Sequence, residues 1–285
     1  MTAKIISGRD IAQRIIEKEL NPRVQKLKQK GITPKLVVIF VGDHSASASY
    51  IKQKEKFSAL AGVVSEVRRF PESLSEEALL GEIAKINADK SIHGVIVQLP
   101  LPAHINMKKV IESIAPTKDV DGFGEANNKD LDVRESSLPP CTPKGIMTML
   151  EKSKIPISGT RVVVMGRSHI VGRPVAEMLL YKGALLKVLH SQTPPDEAAR
   201  ALKEAQVLIV AVGKPELIHG EQLSKGVIVI DVGIHKREDG SMCGDVHFDS
   251  VSKVASLMSP VPGGVGPMTV VSLIENTVKA AEQKL

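Results

Sequence analysis

The segment Val162-Val163-Val164-Met165-Gly166-Arg167-Ser168-His169-Ile170-Val171-Gly172-Arg173-Pro174 constrains the fold of this chain more than any other. A β-branched run drops into a loop bounded by glycines, and a proline follows two residues into what comes next. Valine runs suit strands buried on both faces. Proline suits the first turn of a helix, where its missing N–H costs nothing. Strand, glycine loop and helix in that order make a phosphate cradle: N–H groups at the helix start face the anion, and glycine lets it come close. The segment departs from Gly-x-Gly-x-x-Gly, because Arg167 and Ser168 follow the first glycine.

Two alternating β/α series surround this loop. Ile11, Ile15, Ile16 and Leu20 have helical spacing, so 9–30 reads as one helix. Strands are expected at 36–41, 63–69 and 94–97, with helices at 48–60 and 75–87 between them. That β-α-β-α-β order favours a parallel sheet with right-handed crossovers. From 119 to 143 glycine, asparagine, aspartate and proline dominate, as at a long loop and domain junction. The second series has strands at 161–165, 185–189, 207–212 and 227–231, with helices at 174–182 and 196–204. A last helix, 268–283, is expected to return to the first lobe, since the second sheet is complete by then. The expected fold is therefore α/β in two lobes. Residues 1–140, joined by 268–285, form the first; 141–267 form a Rossmann-type dinucleotide-binding domain.

The 285 residues, 42% of them hydrophobic, suffice for two domains with cores of their own. Aromatics make up 2% and tryptophan is absent, so the cores must be aliphatic. Binding of single-stranded nucleic acid, which stacks bases on aromatic rings, is not expected. Cys141 and Cys243 lie far apart with no Cys-x-x-Cys, which gives neither a disulfide framework nor a zinc site. The first residues lack a signal-peptide core, and apolar runs such as 207–212 are too short to cross a bilayer. A cytoplasmic protein with no bound metal is expected. The formal net charge of +6 is dispersed, which suits solvated helix faces or a small polyanionic substrate.

Five segments carry candidate chemistry. In Ser47-Ala48-Ser49-Tyr50-Ile51-Lys52-Gln53-Lys54, Tyr50 and Lys54 are four apart and share a helix face, where they can set a flat ring beside an amine; a basic solvated helix has the same spacing. Gln98-Leu99-Pro100-Leu101-Pro102 ends a buried strand, where α/β sheets bind ligands, or simply turns the chain away. Asp119 and Asp121 precede Gly122; extended, they point the same way and can hold donors of a heterocycle, while an Asp-Gly turn fits equally. Pro139-Pro140-Cys141-Thr142-Pro143 reads as a rigid junction, and nothing near Cys141 marks it as a nucleophile. Pro260-Val261-Pro262-Gly263-Gly264-Val265-Gly266-Pro267-Met268-Thr269 brings open N–H groups to the last helix, suited to a carboxamide or anion. For the cofactor, the end of the second Rossmann strand reads Leu189-His190-Ser191-Gln192-Thr193, without the carboxylate that grips an NAD ribose. Ser191, Thr193, and Arg167 or Arg173 can instead bind a 2′-phosphate, which favours NADP; the hydroxyls can also merely cap the next helix.

Taken together, Tyr50-x-x-x-Lys54, Gln98-Leu-Pro-Leu-Pro, Lys118-Asp-Val-Asp-Gly122, Pro140-Cys-Thr-Pro143, the Gly166–Pro174 loop and Pro262-Gly-Gly-Val-Gly-Pro-Met-Thr269 resemble the bifunctional methylenetetrahydrofolate dehydrogenase/cyclohydrolase family, in family order along nearly the whole chain. The resemblance implies a homodimeric enzyme with a folate lobe, an NADP lobe and a cleft between them. It would oxidise 5,10-methylenetetrahydrofolate and hydrolyse the methenyl product to 10-formyltetrahydrofolate. It further implies Lys54, Gln98, Tyr50 and Asp121 as catalytic residues. Ser47, Leu99, Pro100, Pro262, Gly264 and Thr269 would join them around folate. Gly166, Arg167, Ser168, Ile170, Val171, Gly172, His190, Ser191, Thr193, Val212, Gly213, Ile234, Gly266 and Thr269 would line the NADP site. Departures from the family pattern, at His44-Ser45, Gly124-Glu125 and Lys129, fall in loops of the folate lobe. Lys52 and Lys56 offer charges for a polyglutamate tail. Two rival readings are a shikimate-type NADP dehydrogenase and a non-catalytic dinucleotide sensor; a sensor needs no amine at position 54.

Overall fold

The computed structural model describes residues 2–43, 45–128, 131 and 137–284, with 45–49 as backbone only. The chain forms two compact units, Gln13–Cys141 with Val270–Leu285, and Met1–Ala12 with Thr142–Thr269.

The first unit is built on three parallel strands in the order Val64–Phe70, Lys35–Val41, Gly94–Val97. Leu36 through Val41 are all buried, as a β-branched run covered on both faces must be. Val37, Ile39 and Val41 pack with Val95 and Val97 against Leu79, Ile83 and Ile86 of the Glu76–Ala88 helix. Ser75 starts that helix: its hydroxyl accepts the Ala78 N–H at 3.2 Å, satisfying one open donor of the first turn. Lys118 ends it, donating from Nζ to the carbonyls of Ile86 (2.7 Å) and Asp89 (2.6 Å), where the helix dipole favours a cation.

The helix read over 9–30 contains a wider turn. Gly8–Ile15 runs into a π-helical turn at Ile16–Leu20 and then into Asn21–Gln29. Pro22 supplies the reason: it has no N–H to give and its ring crowds the carbonyl four residues back. The Asn21 N–H accordingly donates to Ile16 O, five residues back. The expected loop up to 143 is also shorter than read. A helix begins at Cys141 and continues to Lys152, with Pro143 in its first turn, where proline starts helices rather than breaking them.

The second unit holds six parallel strands in the order Lys4–Ile5, Leu257–Met258, Ile228–Asp231, Val207–Val210, Arg161–Met165, Leu185–Leu189. The chain thus begins in this unit, not in the first lobe where 1–140 was expected. Two strands of two residues each show no periodicity to read. Strand order reverses beside Arg161–Met165, whose sequence neighbour Leu185–Leu189 lies on one side and Val207–Val210 on the other. Such switch points open a crevice at the strands' carboxyl ends. The Gly166 loop leaves the sheet there.

The final helix, Val265–Glu282, returns its last turns to the first unit, as expected. Asn276 anchors it, donating from Nδ2 to the carbonyls of Val120 and Pro139, both at 2.9 Å. Among the described residues no helix is long and apolar enough to cross a membrane.

Candidate active site

In the first unit the helix Ser45–Ala61 follows the carboxyl end of the central strand and carries Tyr50 and Lys54 on one face. Lys54 Nζ donates to Gln98 Oε1 at 2.9 Å. Gln98 is the first residue past the Gly94–Val97 strand, and its own Nε2 donates to Leu99 O at 2.9 Å. That second bond fixes which end of the amide faces the lysine. The Leu99–Pro100 peptide is cis.

Asp121 completes the group. Burial drives its carboxyl up to about 6; the Lys54 charge opposes this, Asp119 adds to it, and a hydrogen bond from the Cys141 thiol opposes it again. Burial likewise pulls the Lys54 ammonium down, against the pull of Asp121 and Cys141. Desolvation disfavours the charged form of both groups. The pair therefore stands closer to neutrality than a surface lysine and aspartate would. Burial also raises the Tyr50 phenol.

Asp119 and Asp121 do not point the same way, because the stretch is a turn rather than a strand. Asp119 is buried and spends its carboxylate on the chain: Oδ1 accepts Gly122 N–H (3.0 Å), and Oδ2 accepts Gly124 N–H (2.8 Å) and Asn127 Nδ2 (3.2 Å). Asp119 builds the loop, and Asp121 carries the charge beside Lys54. Cys141 supports this loop as well, its Sγ lying 3.1 Å from Val120 O. The side chain of Ser47, and all of His44 and Lys129, lie outside the described residues.

In the second unit Gly166 has φ of +110°, and a Cβ there would overlap the Ala211 carbonyl. A Cβ on Gly172 would overlap the Gly166 carbonyl. Both glycines are therefore needed for loop, strand end and helix to close on one another. The helix start itself is not open, as the sequence suggested. Ser168 Oγ accepts the N–H groups of Val171 (3.2 Å) and Gly172 (3.3 Å), Ser168 O accepts that of Arg173 (3.0 Å), and Pro174 has none. Arg167 reaches the end of the second strand, donating from Nη2 to Gln192 Oε1 at 3.0 Å. Arg173 pairs instead with Glu177, one turn along its own helix, at 2.7 Å. Thr193 Oγ1 accepts the His190 N–H at 3.0 Å and shapes the turn around the exposed Ser191. Neither hydroxyl caps the Pro195–Glu204 helix, whose cap residue Pro194 has no side-chain bond to offer.

Val212 and Gly213 lie just past the Val207–Val210 strand, and both their N–H groups are taken by the buried Asp245. Ile170 and Ile234 are exposed apolar side chains. In the loop before the last helix, the Gly263 carbonyl accepts the Arg9 N–H at 3.0 Å, and Gly8 packs directly on the Gly264 carbonyl. Gly266 has open space above its α-carbon. Thr269 Oγ1 lies 3.0 Å from Thr142 Oγ1, and the Val261–Pro262 peptide is cis. Among the described residues no group of histidine, cysteine and carboxylate side chains could hold a metal ion.

A family model for the catalytic domain of tetrahydrofolate dehydrogenase/cyclohydrolase matches residues 6–121, and one for its NAD(P)-binding domain matches 140–285. The chain belongs to the tetrahydrofolate dehydrogenase/cyclohydrolase family. The bifunctional protein FolD of Geobacillus thermodenitrificans is 50% identical over 283 residues, covering 99% of each chain. Among solved structures, the FolD methylenetetrahydrofolate dehydrogenase/cyclohydrolase of Campylobacter jejuni aligns with a TM-score of 0.95 at 44% identity, over 99% of this chain and 100% of the other. The Trypanosoma brucei enzyme, complexed with NADP and an inhibitor, aligns at 0.93 and 36% identity, over 100% and 99%. Membership in this dehydrogenase/cyclohydrolase family decides against the shikimate-type and sensor readings.

Sequence reasoning missed Asp231 and Asp245, which organise the loops at the carboxyl edge of the second sheet, and Asn276, which pins the Asp121 segment. No short motif marks any of them. Each acts through backbone groups distant in sequence, and only the fold reveals those pairings.

Proposed function

We propose that this tetrahydrofolate dehydrogenase/cyclohydrolase oxidises 5,10-methylenetetrahydrofolate with NADP, and hydrolyses the 5,10-methenyl product to 10-formyltetrahydrofolate on the group around Lys54. The observation that carries the reading is the 2.9 Å bond from Lys54 Nζ to Gln98 Oε1 beside the half-buried Asp121.

Water attacking the methenyl carbon must lose a proton, and an ordinary lysine, charged at neutral pH, cannot take it. Burial lowers the Lys54 ammonium, so a neutral amine is within reach. Gln98 holds one amine hydrogen and so aims the lone pair. Lys54 takes the water proton and returns it to the departing pterin nitrogen. A positioned acid–base group of this kind contributes roughly 10²–10⁴ in rate. Asp121 accepts hydrogen bonds from the pterin's N–H donors, and Tyr50 lies against its ring. Ser47, Leu99 and Pro100 add folate contacts within this unit.

NADP supplies the hydride acceptor. The residues present fit it: glycines stand at 166 and 172 where a Cβ would collide, no carboxylate ends the Leu185–Leu189 strand, and Arg167 reaches the turn that exposes Ser191. With the first N–H groups of the helix already spent, the loop 167–170 and the Arg167 side chain do the binding of phosphate. Arg167 and Ser191 meet the 2′-phosphate. Ile170, Val171, His190 and Thr193 shape the adenosine side, and Val212, Gly213, Ile234, Gly266 and Thr269 the nicotinamide side. The exposed Lys52 and Lys56 meet a polyglutamate tail, and the working form is a cytoplasmic homodimer.

A spectrophotometric assay tests the reading. With methylenetetrahydrofolate and NADP, the methenyl chromophore and NADPH should rise together, and added methenyltetrahydrofolate should decay faster than its spontaneous rate. Absence of NADPH formation refutes the oxidation; decay only at the uncatalysed rate refutes the hydrolysis.

A further inference from the structure

The carboxyl edge of the second sheet holds a pair of aspartates that the proposed chemistry does not use. Asp245 is fully buried. Its Oδ2 accepts two consecutive backbone N–H groups, Val212 at 2.7 Å and Gly213 at 2.9 Å, and its Oδ1 lies 2.7 Å from His235 Nε2. Asp231, also buried, takes the N–H groups of Gly233 (3.0 Å), Asp245 (2.9 Å) and Val246 (3.0 Å). Each carboxylate fills space that a side chain would otherwise occupy: a Cβ on Gly233 would overlap Asp245 Oδ1, and a Cβ on Gly244 would overlap Asp231 Oδ2.

We infer that Asp245 is a positioning residue for the dinucleotide, setting the 211–213 loop in register with the glycine loop at 166. A trans peptide is planar, so its carbonyl points away from its N–H. With the Val212 N–H turned inward to Asp245, the Ala211 carbonyl is turned outward, and it packs directly on the α-carbon of Gly166. The same logic turns the Val212 carbonyl away from Asp245. The loop consequently has no N–H to offer a ligand at 212 or 213. It presents carbonyl oxygen, which suits a donor such as a carboxamide NH2 or a ribose hydroxyl. A carboxylate is the right group behind it, because one oxygen can accept two N–H bonds and still leave the other for His235.

This inference rests on the dinucleotide reading of the second unit, so calorimetric binding of NADP and NAD to the unsubstituted protein comes first; failure to bind either overturns that reading rather than this one. Asp245→Ala is then expected to weaken NADP and NAD by the same factor, about tenfold or more, since two buried donors lose their acceptor. Asp245→Asn, whose amide oxygen can still take both N–H groups, should recover binding to within about threefold. Cyclohydrolase turnover, carried by Lys54 and Gln98 in the other unit, should stay within about twofold in both variants. Gly233→Ala keeps the charge but pushes on Asp245 at both its carboxylate and its backbone nitrogen, and it should reproduce the loss; if either alanine variant fails to fold, Asp245→Asn still tests the assignment, since a loss there beyond about tenfold overturns it. Dinucleotide binding within twofold of the original in Gly233→Ala or Asp245→Ala overturns the assignment. So does a parallel loss of cyclohydrolase turnover, which would mark Asp245 as a general structural support.

Discussion

At the scale of single residues, the site turns on one comparison: what a lysine costs to bury against what its neighbours return. Lys54 loses hydration, and Asp121 and Cys141 only partly restore its preference for charge. Replacing it with methionine keeps the stem and removes the amine. Lys54→Met is expected to lower cyclohydrolase turnover by roughly 10²–10⁴ while NADP binding is unchanged; stopped-flow decay of methenyltetrahydrofolate measures it, and full turnover would remove Lys54 from the mechanism. Asp121 tests a different function. Asp121→Asn loses the charge that accepts pterin donors, at a cost of about 1.5–3 kcal/mol for charged hydrogen bonds, so folate should weaken roughly tenfold or more with NADP affinity unaltered. Equal losses of both ligands would contradict the pterin role. The substitution also removes a charge that raises the Lys54 ammonium, so the lysine should titrate lower still.

At the scale of elements, the sheets and the loops were legible to different degrees for a physical reason. The Arg161–Met165, Leu185–Leu189 and Gly94–Val97 strands stand where the sequence places them, because short apolar runs bounded by glycine and turn residues are too short for a helix. The strand expected to run to 212 stops at Val210: the Ala211 N–H still donates to Met165 O, but Asp245 takes those of Val212 and Gly213 away from the ladder. The helices at Met107–Glu112 and Glu125–Asn128 are too short for periodicity, and Pro143 disguises the start of another. Lys54, Gln98 and Asp121 were legible as candidates, but the bond between the first two was not, since no local rule pairs residues 44 apart. The glycine loop makes the sharpest element-level prediction. A Cβ on Gly172 meets backbone on the Gly166 carbonyl, where no flexible side chain can yield. Gly172→Ala must therefore move the loop off the helix start. It is expected to abolish saturable NADP binding in calorimetry and to lower the melting temperature, with cyclohydrolase turnover retained. Normal NADP affinity in this variant would show that the loop does not form the cradle.

At the scale of the whole molecule, the last residues of the chain hold the first unit together, and this sets how it responds to acid. Arg23 donates to both Glu282 oxygens, at 2.9 and 2.7 Å. Lys279 Nζ donates to Ser137 O at 2.9 Å, and Lys284 Nζ donates to the carbonyls of Lys90 (3.1 Å) and Ile92 (2.9 Å). Lys284 and Lys118 thereby close around His93, which is 5% exposed and accepts the Lys35 N–H on Nδ1 at 3.2 Å. Burial, then Lys284, then Lys118, push the His93 imidazolium down to about 4 from 6.5. The folded chain thus refuses a proton that the unfolded chain accepts. His93 contributes its full stability above pH 6.5, and that contribution drains away as pH falls toward 4; at about 1.4 kcal/mol per pH unit the whole is about 3 kcal/mol. Asp231 works in the opposite sense. Its carboxyl is raised to about 7, chiefly by burial, so its contribution declines as pH rises from 3.8 to 7. The two overlap in any profile of the intact protein, and a variant separates them. Glutamine at 93 carries no titrating proton, and its carbonyl can accept the Lys35 N–H. Amide exchange in the Lys35–Val41 strand, which reports on the first unit alone, should show the original protein losing about 2–3 kcal/mol relative to His93→Gln between pH 7 and 4.5. A constant difference across that range would mean that the imidazole is not held neutral by burial and by Lys284 and Lys118.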